Sequence, residues 1–258
     1  MTSPEQTGRL DRGDGTELAW ARLPGRGPTV VFLGGFRSDM EGSKALALRD
    51  ACAARGQAFL RFDYSGHGIS GGAFEEGGIG IWARDAATLI GRLVEGPMLL
   101  AGSSMGGWIA LLMLREFGAR VVGLIGIAAA PDFTKRLMWP SFSPEQQRTI
   151  REEGVLLVES PYGPPVPITR HLIEDGAKNL VLEEAISFSG PVRLLQGMQD
   201  REVPWQTATD LAQAITGADI RILLVKDGDH RLSREEDLAL LVRTLDDILE
   251  KKAGGAAP

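Results

Sequence analysis

Short β-rich runs of aliphatic residues alternate along this chain with amphipathic stretches, and that alternation limits the folds open to it more than any other feature. The runs are Glu17–Arg22, Thr29–Leu33, Ala58–Asp63, Met98–Ser103, Val121–Ala128, Val192–Gln196 and Ile220–Val225. Between several of them lie candidate helices at Ser43–Arg55, Ile79–Val94, Met105–Phe117, Gln206–Ile215 and Ser233–Leu249. In the last, Ser233 stands three residues before Glu236 as a capping box, and Leu238, Leu241, Leu245 and Ile248 follow at three- and four-residue steps. Continuous apolar strands alternating with amphipathic helices predict a mostly parallel sheet covered on both faces. The expected architecture is a doubly wound α/β fold in a single domain over residues 1–258, with the tail 251–258 frayed.

One stretch departs from this rhythm. About 60 residues separate the strand ending near Ala130 from the one starting at Pro191, against the usual ~2–6 residues of such a connection. It holds Phe133, Met138, Trp139 and Phe142, short helices expected around Pro144–Gly154 and His171–Ala185, and a proline cluster from Pro161 to Pro167. Residues 131–190 are expected to form a helical lid over a pocket at the carboxyl ends of the strands, where ligands bind in open α/β sheets.

Composition removes several function classes. The net charge is −6 with no block of Lys or Arg, which argues against a nucleic-acid partner, since phosphate neutralisation needs a basic face. One cysteine, Cys52, cannot form an internal disulfide, and three scattered histidines do not give a zinc site of the usual spacing; separately, the chemistry read from the motifs below requires no metal or organic cofactor, and none is expected. The longest uncharged apolar run, Val121–Pro131, has 11 residues, too few for a membrane span. The polar N-terminal residues Met1–Leu10 carry no apolar export signal, and a cytoplasmic location is expected.

The sharpest motif is Gly102-Ser103-Ser104-Met105-Gly106-Gly107, a G-x-S-x-G centred on Ser104 between the apolar run Met98–Ala101 and the helical run Trp108–Leu114. A strand–turn–helix context is what a nucleophile elbow requires: a strained turn lifts the serine above the sheet edge, and the glycines leave room for the backbone. A second match, Gly68-Ile69-Ser70-Gly71-Gly72, has no adjoining strand and reads as a loop.

A serine needs a neighbouring base oriented by a carboxylate. His67 lies in a Gly-rich turn and reads as a local packing residue; His171 lies in the lid segment; His230 follows the last strand and precedes the last helix. In this strand–helix order the acid lies between serine and histidine. That points to His230 as base and to Asp200, after the strand Val192–Leu195, as acid, with Glu202 the runner-up and Asp227 and Asp229 competing by proximity. Oxyanion donors are expected from the Met105 N–H and, in the loop Leu33-Gly34-Gly35-Phe36-Arg37-Ser38-Asp39-Met40, from the Phe36 N–H; the motifs leave the role of Arg37-Ser38-Asp39 unassigned.

With these residues together the sequence resembles an α/β-hydrolase, and more narrowly the palmitoyl-protein thioesterase and mycophenolic acid acyl-glucuronide esterase group with its bacterial relatives. The resembling segments are Gly35–Met40 with Gly42 and Lys44-Ala45, Phe62–Gly66, Gly102–Trp108, Arg193–Met198 with Asp200 and Val203-Pro204-Trp205, and Asp229-His230-Arg231. The resemblance implies Ser104, Asp200 and His230 as the triad. It implies a serine esterase or thioesterase acting on a small-molecule ester or acyl thioester, an acylated protein being one form of it. Small-ester, C–C bond and peptide hydrolysis use the same triad, and a silent ligand-binding module is the remaining alternative.

Overall fold

The computed structural model describes residues 4–160 and 163–254. Its strands are β1 (Gln6–Asp11), β2 (Glu17–Leu23), β3 (Arg26–Leu33), β4 (Gln57–Phe62), β5 (Met98–Ser103), β6 (Val121–Ile127), β7 (Val155–Ser160), β8 (Gly163–Thr169), β9 (Val192–Gly197) and β10 (Ile220–Val225). Its helices are α1 (Ser43–Arg55), α2 (Ile79–Leu93), α3 (Met105–Phe117), the short α4 (Trp139–Ser141), α5 (Pro144–Glu153), α6 (Arg170–Lys178), α7 (Gln206–Ala214) and α8 (Glu235–Gly254). Eight strands form one sheet in the order β1-β2-β4-β3-β5-β6-β9-β10, and β7 and β8 form a separate hairpin. From β4 to β10 the neighbours are parallel; β1 and β2 join antiparallel.

Alternation along the strands explains why the apolar runs are continuous. In β3, Val31 and Leu33 pack with Trp82 and Leu89 of α2 and Trp108 and Ile109 of α3. Val30 and Phe32 point the other way, against Ala45, Leu48 and Cys52 of α1 and Leu241, Leu245 and Ile248 of α8. Both faces are therefore dry, and a parallel sheet follows. The chain runs from β3 outward to β4 and then returns to the other side of β3 as β5, so the direction of winding reverses between β3 and β5. In open α/β sheets such a reversal is where ligands bind, at the carboxyl ends of the strands.

Four expectations about elements change. Gln6–Asp11, read as a polar terminus, is an edge strand that pairs with β2 from Gln6↔Arg22 to Asp11↔Glu17; its side chains are mostly exposed, so it leaves no apolar signature. The 131–190 segment is not wholly helical. After a π-helical turn at Thr134–Met138 and the helices α4 and α5, it forms the β7–β8 hairpin. Pro164, Pro165 and Pro167 lie in β8, which a strand with a single partner tolerates; residues 161–162 of the proline cluster lie outside the described residues. The second helix of the segment ends at Lys178 rather than Ala185, because the N–H groups of Val181 and Leu182 turn to the Asp132 carboxylate, both at 2.9 Å. Finally, α8 begins at Glu235, not Ser233, and Asp237 rather than Glu236 reaches back, its carboxylate accepting the Arg234 N–H at 3.2 Å. The same helix runs to Gly254, into the segment expected to fray, while residues 255–258 lie outside the described residues.

Candidate active site

Strand β5 delivers Ser104 into a backbone conformation that L side chains rarely adopt, φ 53° and ψ −119°, immediately before α3. The surrounding glycines make this turn possible. A Cβ on Gly102 would lie 2.3 Å from the Gly106 carbonyl oxygen, and one on Gly106 would lie 2.0 Å from the Leu33 carbonyl oxygen. The elbow thus presses directly on the end of β3. Ser104 N–H donates to the Ile127 carbonyl at 2.9 Å, and the Ser104 carbonyl accepts from Gly107 at 2.8 Å and Ala130 at 3.0 Å, so the turn is anchored to β6 on its other side.

The carboxyl ends of β9 and β10 bring the remaining groups. His230 Nε2 faces Ser104 Oγ at 3.0 Å, and His230 Nδ1 faces Asp200 Oδ2 at 2.8 Å. Asp200 is buried. Its Oδ1 accepts the N–H groups of Glu202 at 2.9 Å and Val203 at 2.8 Å, and its Oδ2 also accepts from Gln196 Nε2 at 3.0 Å. Burial pushes the Asp200 carboxyl up, but the His230 hydrogen bond and charge together with the two N–H donors outweigh it, leaving the group below the ordinary carboxylate value. The ionised acid is therefore the stable form. A Cβ on Gly197 would lie 2.3 Å from the Gly228 carbonyl oxygen, so this glycine lets the loop bearing His230 close onto β9.

The competing carboxylates are engaged differently. Asp229 Oδ1 accepts the N–H groups of Arg231 and Leu232, both at 3.0 Å, which shapes the turn after His230. Asp227 pairs with Arg234 at 2.8 Å. Glu202 lies at the site, but on the other ring nitrogen, its Oε2 being 3.5 Å from His230 Nε2.

The loop after β3 closes the arrangement from the opposite side. A Cβ on Gly35 would sit 3.4 Å from Ser104 Cβ, so the peptide leading to Phe36 passes beside Ser104. Arg37, at φ 58°, donates its N–H to His67 Nε2 at 3.2 Å, and Met40 donates to Asp63 Oδ1 at 2.7 Å. Ser38 Oγ donates to the Gly35 carbonyl at 2.8 Å. The Phe36 ring meets Phe74, Trp82 and Phe133 edge-on at 5.0, 5.8 and 5.9 Å between centroids. Met105, the other expected donor, is the first residue of α3, at the positive end of its dipole.

His67 and Asp63 thus brace this loop; the sequence reading placed His67 as a local packing residue in a turn and Asp63 at the end of a strand. Their signal was the Asp63-Tyr64-Ser65-Gly66-His67-Gly68 cluster, whose polar residues are too many for a plain connection after an apolar strand. Ser70 has a structural role, its Oγ donating to the Asp63 carbonyl and accepting the Ala19 N–H, both at 2.8 Å. His171 is exposed on α6. Burial pushes the Cys52 thiol up to about 12, so no thiolate competes as nucleophile. Among the described residues, no group of three or more His, Cys, Asp or Glu side chains could hold a metal ion, and no helix is long and apolar enough to cross a membrane.

Comparison with known proteins agrees with this fold. The family described as Hydrolase_4, serine aminopeptidase S33, matches residues 27–158. The bovine mitochondrial palmitoyl-protein thioesterase ABHD10 is 38% identical over 246 residues, covering 94% of this chain and 79% of the relative. Among solved structures, a putative hydrolase from Agrobacterium vitis S4 superposes with a TM-score of 0.92 at 39% identity, covering 96% of this chain and 100% of the other. The mouse α/β hydrolase domain-containing protein 10 superposes with a TM-score of 0.88 at 36% identity, covering 95% and 99%. The cytoplasmic expectation is contradicted by these relatives: the curated thioesterases matched over 94% of the chain are named as mitochondrial proteins. Sheet order, the elbow at the end of β5 and identity along nearly the whole length lead to one conclusion: the chain belongs to the α/β-hydrolase family, among hydrolases of the esterase and thioesterase type.

Proposed function

We propose that this protein is a serine hydrolase that cleaves carboxylic esters or thioesters through an acyl-enzyme on Ser104. The observation that carries this reading is the unbroken relay from Ser104 Oγ through His230 to Asp200, with contacts of 3.0 and 2.8 Å. In the first half-reaction Ser104 Oγ bonds to the acyl carbon, its proton moves to His230 Nε2, and the carbonyl electron pair moves onto oxygen. The Phe36 and Met105 N–H groups hold that oxyanion, each contributing up to ~3 kcal/mol. Collapse breaks the bond to the leaving oxygen or sulfur, which takes the Nε2 proton. Water then attacks the acyl-serine by the same route, releasing the acid and restoring Ser104. Asp200 holds the imidazole tautomer and stabilises its cation throughout.

The excursion 131–190 is the acyl-side lid in this reading. Phe133 packs on Phe36, and Arg37 Nη1 reaches the Pro164 carbonyl at 3.1 Å, so the segment borders the oxyanion loop. Its aromatic residues supply apolar surface suited to an acyl chain. Turnover of p-nitrophenyl esters and acyl thioesters, together with fluorophosphonate labelling, tests the assignment. Ser104→Ala is expected to abolish labelling and lower kcat by more than about 10³-fold; retained labelling would remove Ser104 from the role. An aminoacyl amide in the same panel tests peptidase activity, and faster turnover of the amide than of the ester would replace the esterase reading.

A further inference from the structure

Among the described residues, two carboxylates lie within 4 Å of the His230 ring, and they differ in kind. Asp200 is on Nδ1 with a fully buried side chain. Glu202 is on Nε2 with 47% of its side chain exposed. The turn that presents Glu202 is fixed, because its own N–H is held by Asp200 Oδ1 at 2.9 Å. Nε2 is also the atom that hands a proton to the departing oxygen or sulfur. A leaving atom within hydrogen-bond reach of Nε2 is therefore within roughly 6 Å of the Glu202 carboxylate, on the solvent side of the ring.

We propose that Glu202 sets the charge preference of the leaving-group side, favouring alcohols and thiols that carry a positive charge near the scissile bond and disfavouring those that carry a carboxylate or phosphate. The inference rests on the Ser104 reading and names its substrate class more narrowly. The charge of such a leaving group sits two carbons beyond the leaving atom, and two unit charges about 6–10 Å apart in a largely aqueous environment interact strongly enough that reversing the sign changes kcat/KM by roughly four- to tenfold. Exposure of Glu202 makes this preference sensitive to salt, since mobile ions screen separations of this order.

The test uses three thioesters of one acyl chain, that best accepted among p-nitrophenyl esters, with thiocholine, mercaptoethanol and mercaptopropionate as cationic, neutral and anionic leaving groups. Each kcat/KM is divided by that of the neutral thioester in the same variant, so a general loss of activity cancels. The wild type is expected to favour thiocholine over mercaptopropionate by roughly four- to tenfold at low salt and by less at high salt. E202Q should bring the ratio near one, and E202K should invert it. Salt dependence in the wild type provides the same readout without any substitution. A ratio that neither E202Q nor salt moves, with all three thioesters turned over, would overturn the assignment of Glu202 while leaving the Ser104 reading intact. Absence of turnover of all three by the wild type, with the p-nitrophenyl ester still hydrolysed, would overturn the assignment of Glu202 alone; absence of turnover of the p-nitrophenyl esters as well would overturn the Ser104 reading.

Discussion

His67 is 4% exposed, with Nδ1 facing the Ser65 carbonyl at 3.1 Å and Nε2 accepting the Arg37 N–H at 3.2 Å. Those partners fit a neutral ring protonated on Nδ1. Burial lowers its pKa, with the Ser65 carbonyl and Asp85 pulling partly back. The unfolded chain takes up a proton near pH ~6.5 that the native ring refuses, so this residue's contribution to stability falls as pH drops below that value, until the folded pKa is passed. His67→Gln keeps an acceptor for Arg37 but cannot titrate. Denaturant unfolding at pH 7.5 and 5.5 should show a smaller loss on acidification in the variant than in the wild type; equal losses would remove His67 as the cause. Asp200→Asn acts on the other histidine. It is expected to lower kcat by about 10³–10⁴-fold, because an amide stabilises neither the tautomer nor the cation. Activity near wild type would shift the role to another carboxylate.

At the scale of elements, contact between the elbow and β3 is tight enough to be tested by a single methyl. With 2.0 Å between a built Cβ and the Leu33 carbonyl oxygen, Gly106→Ala must part α3 from β3. A cost of about 1–3 kcal/mol in unfolding free energy is expected, with loss of turnover as the Ser104 turn shifts. The excursion has a comparable fastening. Asp132, at φ 56° and 1% exposed, stands where the chain leaves the sheet and accepts two N–H groups where it returns. Asp132→Ala strands both donors, costing about 1–3 kcal/mol, and limited proteolysis should then cut within 131–190 sooner than elsewhere. Uniform cutting would deny the fastening. These elements were not equally legible in sequence. Strands buried on both faces, such as β5, announce themselves by composition. The edge strand β1 pairs through its backbone while exposing polar side chains, and the end of α6 is set by Asp132, about 50 residues earlier in the chain, at separations no local pattern reports.

For the molecule as a whole, the candidate site was legible where strand ends carry it: Ser104 immediately follows β5, while Asp200 and His230 lie in the short loops after β9 and β10. What local pattern could not supply was which nitrogen each carboxylate would face, because Asp200 and Glu202 are two residues apart and divide between opposite sides of one ring. The relay joins positions 126 and 30 residues apart, so it exists only when β5, β6, β9 and β10 are all in register. Non-local pairings of this kind form slowly. On dilution from denaturant, return of hydrolysis should follow the slowest phase seen in the fluorescence of the buried Trp82 and Trp108; activity that returns with the fastest phase would contradict this dependence. The winding that puts β3, β4 and β5 early in the chain and β10 last among the strands has a consequence during biosynthesis. A chain emerging from the ribosome presents Ser104 and the loop after β3 long before His230, so the Ser104–His230–Asp200 contacts must wait until His230 and the helix behind it have cleared the exit tunnel.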